Sequence, residues 1–189
     1  MSGWTGKLLR VDLTAGTSRT EQIPRPWLEQ YVGGRGLGDR YLYEEVDAAV
    51  DPLAPENELI FATGPLTGTP VPCGARYMVV TKGALTGAIT TSNSGGHWGP
   101  ELKFAGYDLL ILEGRAPRPS YLFIYDDHVE IRDAARYWGR GVLETEDGLR
   151  SAVSSERGPL LIELRTDRNE NVKVHERLRK AAADALRLK

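Results

Sequence analysis

Residues 7–13 alternate apolar and polar positions, with Leu9, Val11 and Leu13 on one side, and predict a half-buried strand. Thr14-Ala15-Gly16 supplies a turn, and residues 17–23 read as a returning strand. After Pro26, residues 27–32 fit a short helix stopped by Gly33-Gly34. Leu37, Tyr41, Leu42 and Val46 recur at helical spacing and predict a second helix over 37–46. Asp51-Pro52 and Ala54-Pro55 then mark a loop. Short strands are predicted at 59–63, 76–82, 109–113, 121–125 and 129–132, the last two joined as a hairpin by Asp126-Asp127. Pro100 opens a short helix and Gly106 closes it. Many strands with few, short helices predict an α+β fold with β-rich mixed or antiparallel sheets.

The pattern changes near residues 150–158. The 21 glycines crowd the front of the chain and none follows Gly158, whereas the stretch from Ser154 onward is dense in charge. Residues 160–164 form a compact apolar run that predicts a strand. Asp167 and Glu170 have capping-box spacing ahead of a helix carrying Val174, Leu178, Ala181, Ala182, Ala185 and Leu186 on one face. The expected organisation is a domain over 1–150 followed by a strand–helix tail over 151–189.

Composition narrows the chemistry. The 189 residues are 41% hydrophobic and 26% charged, enough for a real core. A net charge of −2 removes the simple electrostatic case for nucleic acid or an anionic membrane. The one cysteine, Cys73, excludes an internal disulfide and a four-cysteine iron–sulfur cluster held by these residues alone. No apolar run approaches the roughly 20 residues that span a bilayer, and the N-terminus lacks the apolar core of a signal peptide. The expectation is a soluble, cytoplasmic protein.

Three glycine-rich segments are candidates for ligand binding. Ser92-Asn93-Ser94-Gly95-Gly96-His97-Trp98-Gly99-Pro100 leads into a helix, where close backbone approach and free N–H groups favour an anion. Gly33-Gly34-Arg35-Gly36-Leu37-Gly38 places an arginine fork ahead of a helix, without the spacing of a dinucleotide fingerprint. Gly64-Pro65-Leu66-Thr67-Gly68-Thr69 precedes a strand that begins with Arg76. Taken alone, such a glycine pattern is read first as a structural turn without a ligand. Arg76 and Asn93 meet at one phosphate or heterocycle only where their loops lie side by side, which spacing alone does not decide. His97, His128 and His175 lack metal-ligand spacing, and no nucleophile elbow or Ser/His/Asp set is identifiable. The catalytic residues are unknown at this level.

Taken in order, Gly3-Trp4, Arg10-Val11-Asp12-Leu13, Gly33-Gly34-Arg35-Gly36-Leu37, Gly64-Pro65-Leu66-Thr67-Gly68-Thr69 and Arg76-Tyr77 form a long ordered series. Leu85-Thr86-Gly87, Ser92-Asn93-Ser94-Gly95-Gly96, Glu101-Leu102-Lys103-Phe104-Ala105-Gly106-Tyr107-Asp108 and Trp138-Gly139 continue it. Over roughly residues 1–150 the series resembles the N-terminal domain of the tungsten-containing aldehyde ferredoxin oxidoreductases. The resemblance implies a β-rich base on which a tungsten or molybdenum bis-pyranopterin cofactor sits. It implies cofactor contacts at Arg76, Asn93, Ser94, Gly95 and Gly96, and a magnesium ion near the backbone of Asn93 linking the pterin phosphates. The family oxidises aldehydes to carboxylates and passes electrons through a [4Fe-4S] cluster to ferredoxin.

The departures set the expected partner. A second pterin-contacting segment and the helical domains that carry the cluster cysteines and the substrate pocket are missing from these residues. The usual Lys-Ser-Pro-Leu-Thr-Gly reads Lys82-Gly83-Ala84-Leu85-Thr86-Gly87, which loosens a loop that proline stiffens. The tail, Leu161-Ile162-Glu163-Leu164-Arg165-Thr166-Asp167-Arg168-Asn169-Glu170-Asn171-Val172 with His175, resembles the C-terminal end of the thiamine-diphosphate enzyme of menaquinone synthesis and brings no thiamine chemistry with it. Catalysis is therefore expected only with a partner chain or with the missing C-terminal domains, and a homo-oligomer fits too. The competing readings are a scaffold that keeps the fold without cofactor and a general phosphate or nucleotide binder.

Overall fold

A computed structural model describes residues 3–153. The strands β1 (Lys7–Asp12) and β2 (Thr17–Gln22) form a hairpin, followed by helices α1 (Arg25–Tyr31) and α2 (Gly34–Glu45). Strands β3 (Leu59–Thr63), β4 (Tyr77–Lys82) and β5 (Ile89–Ser94) make an antiparallel meander. Helix α3 (Trp98–Phe104) leads into β6 (Leu109–Glu113). The hairpin β7 (Ser120–Tyr125) and β8 (His128–Asp133) precedes helix α4 (Val142–Val153). The fold is α+β, as the pattern of short strands and helices predicts.

Six strands join in the order β2-β1-β6-β3-β4-β5, and β7-β8 form a separate ribbon. Strand β6 lies between β1, to which it is parallel, and β3, to which it is antiparallel. It stitches the first hairpin to the meander. Its Leu109, Leu110 and Ile111 are fully buried and Leu112 nearly so, as a central strand covered on both faces requires.

Leu8, Ile60, Ala62, Val80, Leu109 and Ile111 face α1 and α2, where Leu28, Leu37, Tyr41 and Leu42 close the first core. Leu9, Val11, Phe61, Leu110 and Leu112 face α3 and the ribbon, meeting Leu102, Leu122 and Ile124. The far side of the ribbon packs Tyr121 and Phe123 on Tyr137 and Leu149. Each fully buried leucine here contributes about 1.5–3 kcal/mol relative to exposure.

The structure revises several expectations. Strand β1 is buried on both faces, not one, because Leu8 enters the first core and Arg10 turns inward beneath α2 among carboxylates. Gly34, Arg35 and Gly36 form the first turn of α2 instead of a loop before it. Glycine is needed in that helix for close packing, since a Cβ at Gly38 would lie 2.7 Å from Val80 Cγ2. Residues 89–94 form β5, although Ser92, Asn93 and Ser94 read as loop. An edge strand rich in Ser and Thr carries no apolar alternation to reveal it. Helix α4 also escaped the pattern; Thr145 and Leu149 are deeply buried, and most of its other described residues are exposed. The predicted tail strand and helix, and the residues carrying the menaquinone-enzyme resemblance, lie outside the described residues.

Candidate functional site

Two helical segments meet at a sharp corner. Val32 sits at φ 64°, ψ −46°, and Gly33 N donates to Tyr31 O at 2.7 Å, closing a γ-turn of the strained, non-inverse form. The turn points the N-terminus of α2 at the end of β3. Gly33 has φ 148°, and a Cβ there would lie 2.7 Å from Thr63 O, so only glycine fits between helix and strand. The first turn of α2 contains no acidic residue and no side chain caps its N–H groups. The positive end of that helix therefore faces outward without a built-in anion.

Against it lies the loop between β3 and β4. Thr67 is 6% exposed; its Oγ1 donates to Arg76 O at 2.9 Å and accepts from Gly64 N at 3.0 Å. Gly68 N donates to Gly74 O at 2.8 Å, which folds the loop on itself. A cleft of about 380 Å³ opens between this loop and the start of α2. Val32, Gly34, Pro65, Thr67, Arg76 and Met78 are among its walls, and no acidic residue lines it. Its volume is in the range of small-ligand sites.

The registers of β4 and β5 decide which side chains reach the cleft. Met78 pairs with Asn93, so both project to the α2 side of the sheet, and a Cβ on Gly34 would sit 3.5 Å from Met78 Cγ. Arg76, two residues before Met78, projects the same way. The structure thus brings together the two residues that spacing alone left apart. Arg76 Nη1 donates to Asn93 Oδ1 at 2.9 Å, and Asn93 Nδ2 donates to Met78 Sδ at 3.2 Å. Gly95 lies against this guanidinium, where a Cβ would stand 3.6 Å from Arg76 Cδ. Ser94 pairs with Tyr77 and alternates to the opposite face. Gly96, at φ +84°, turns the chain toward α3 and touches nothing within 4 Å of a Cβ. Arg76, Asn93 and Gly95 are one cluster, and Ser94 and Gly96 shape the backbone beside it.

A second charged cluster lies near the other end of α2, roughly 18 Å away at 1.5 Å per residue. Arg10, 5% exposed, holds Glu45 with both Nη atoms at 2.7 and 3.0 Å. It also donates to Glu21 at 2.9 Å, Glu58 at 3.3 Å and Glu113 at 3.2 Å. Burial works to lower the pKa of its guanidinium, and hydrogen bonds to Glu45 and Glu21 overcome this and raise it above its ordinary value. Burial, then the neighbouring charge of Glu45, pushes the Glu58 carboxyl up to about 8. Glu58 Oε2 is buried without a hydrogen-bond partner. Sequence reading missed this cluster, although a single arginine inside the apolar run Leu8-Leu9-Arg10-Val11 was its signal. Among the described residues, no group of three His, Cys, Asp or Glu is placed to hold a metal ion. No described helix is long and apolar enough to cross a membrane.

Comparison with known proteins agrees with the architecture. Residues 8–163 match the sequence model of the "Aldehyde ferredoxin oxidoreductase, N-terminal domain" family. The chain is 54% identical over 153 residues to the tungsten-containing aldehyde ferredoxin oxidoreductase of Pyrococcus abyssi, covering 81% of this chain and 25% of that protein. The corresponding protein of Pyrococcus horikoshii is 52% identical over the same shares. The active-site complex BamBC of benzoyl coenzyme A reductase, solved with 1,5-dienoyl-CoA, superposes with a TM-score of 0.79 at 40% identity. That alignment covers 82% of this chain and 24% of the other. The chain therefore spans about a quarter of the length of these relatives. Sequence and architecture together place it in the aldehyde ferredoxin oxidoreductase family, as the N-terminal domain.

Proposed function

We propose that this domain is the base on which a tungsten or molybdenum bis-pyranopterin cofactor is seated, and that Arg76 and Asn93 mark the seat. The observation that carries the reading is the Arg76–Asn93 hydrogen bond at the rim of a cleft free of acidic residues. Phosphate-bearing pterins suit such a place. The guanidinium fork, the uncapped N-terminus of α2 and the glycine backbone at 95–96 all offer donors or close approach to an anion.

In this reading Arg76 holds a phosphate or the pterin edge, and Asn93 keeps the guanidinium oriented. The backbone at Ser94, Gly95 and Gly96 would hold the cofactor from the β5 side, and the backbone of Asn93 would help hold a magnesium ion that offsets the phosphate charge. When bound, the cofactor supplies a metal centre for two-electron oxidation of an aldehyde to a carboxylate. The residues of this domain bind and orient it and shield one side of it from water. A single base leaves the opposite side wet, so catalysis needs helical domains from the rest of the protein or from a partner chain. Those domains also supply the cysteines of a [4Fe-4S] cluster, since Cys73 stands alone, and the route to ferredoxin in the cytoplasm.

The test is metal and pterin analysis of the full chain purified from a tungstate-fed host, with and without a co-expressed partner. Tungsten or molybdenum with pterin in the wild type, and neither in Arg76→Ala, supports the reading. Their absence from the wild type under both conditions overturns it in favour of a scaffold without cofactor.

A further inference from the structure

We propose that Thr67 is a positioning residue for the cofactor cleft, acting through Arg76; this rests on the reading of the cleft given above. Arg76 lies one residue before the first ladder pair of β4, which is Tyr77 with Ser94. No neighbouring strand fixes its carbonyl. Its own N–H makes a long bond, 3.3 Å, to Cys73 O. The short contact that fixes the Arg76 backbone is the 2.9 Å bond donated by the Thr67 hydroxyl.

That hydroxyl works in two directions. It donates to Arg76 O and accepts from Gly64 N, so one buried oxygen ties the start of the loop to its end. Thr67 N also donates to Gly64 O at 3.1 Å, which closes a tight turn around the same side chain. Pro65 and Leu66, the residues that the turn projects, line the cleft. Fixing the Arg76 backbone sets where its long side chain leaves the sheet, and the guanidinium then reaches Asn93 Oδ1 at 2.9 Å. Asn93 is itself anchored to Met78 Sδ, so the receiving end does not follow a displaced arginine. Without the hydroxyl, Arg76 O and Gly64 N lose their shared partner inside a part-buried loop, and the loop shifts to recover hydrogen bonds. A guanidinium aimed to within a fraction of an ångström becomes one that wanders.

The experiment compares the full chain with Thr67→Val, Thr67→Ala and Thr67→Ser. The readout is the Arg76 Nε–H resonance in nitrogen–proton correlation spectra of cofactor-free protein, assigned with Arg76→Lys. Expected is a displaced and broadened resonance in Val and Ala, with the amides of β1 and β6 unmoved, and a return to the wild-type position in Ser. In protein from a tungstate-fed host, metal retained after dialysis falls about five- to tenfold in Val and not in Ser. An Arg76 resonance at its wild-type position in either folded hydroxyl-free variant overturns the proposal. So does a Ser variant as displaced as Val, or failure of both hydroxyl-free variants to fold, which makes Thr67 a residue of the fold only. A wild type that retains no tungsten overturns the cofactor reading, and the resonance still decides the role of Thr67.

Discussion

Arg76 and Asn93, seventeen residues apart, are joined side chain to side chain at 2.9 Å across two neighbouring strands. The pairing makes Asn93 a neutral brace for a cation. Asn93→Asp replaces it with a carboxylate that holds the guanidinium as well and cancels its charge. An anionic cofactor is expected to be retained at least about tenfold less well, with the thermal midpoint little changed. Metal analysis beside a thermal melt checks this, and undiminished retention in Asn93→Asp removes Arg76 from the seat.

The carboxyl of Glu58 gives stability a specific dependence on pH. Its folded value is raised from 4.5 to about 8, so between these values the folded chain binds the extra proton. Stability is therefore highest, for this group, below about 4.5 and falls as pH rises toward 8. Glu21 acts in the opposite sense: burial raises it, but Arg10 and Arg19 overcome this and lower it, so its contribution is lost in acid. Glu58→Gln removes the alkaline loss alone. Denaturant melts are expected to show it gaining about 1–2 kcal/mol on the wild type between pH 6 and pH 9. A constant difference across that range contradicts a Glu58 carboxyl raised by folding.

Val32 stores strain. A β-branched residue at φ 64° in a γ-turn is disfavoured, and Val32 is 52% exposed, so little burial is lost by trimming it. Val32→Gly is expected to stabilise the chain by about 1 kcal/mol, even after the added freedom of the unfolded glycine. Val32→Ala is expected to gain less. A drop in thermal midpoint for both refutes the strain.

The contact between α2 and the sheet is tight enough to predict a rescue. Gly38→Ala forces a methyl to 2.7 Å from Val80 Cγ2, a stiff side chain with no exposure. The expected loss is about 1–3 kcal/mol despite the better helix propensity of alanine. Val80→Ala in the same chain makes room, so the double variant is expected to be more stable than the two losses added together. Additive losses in a double-mutant cycle show that the helix shifts instead.

Legibility followed burial. The strands with strong apolar alternation or continuous apolar runs, β3, β6 and β7, stood out because packing wrote them into residue type. β5 did not, since an edge strand of Thr, Ser and Asn is indistinguishable in composition from the loop that follows it. Gly34 and Gly36 argued against carrying the helix back beyond Leu37, yet both lie in its first turn, where a Cβ on Gly36 would stand 3.0 Å from Tyr31 O. The cleft was half legible. Residue types named Arg76 and Asn93, but their meeting depended on the pairing of Met78 with Asn93, which no local signal encodes. Thr67 was visible only as one residue of a turn, because its two hydrogen bonds are made by atoms that composition does not rank.

The position of β6 also sets the order in which the sheet is completed. β1–β2 and β3–β5 are each local hairpins or meanders, but they share no ladder until residues 109–113 slide between them. Before β6 is synthesised, the inner edges of β1 and β3 have no native ladder partner, and a nascent chain is expected to leave them open. Leu109–Glu113 then converts the two parts into one continuous surface. A chain stopped before residue 109 is expected to be bound by chaperones or to aggregate, and one extending past the ribosomal tunnel by residue 113 to become protease-resistant in a single step.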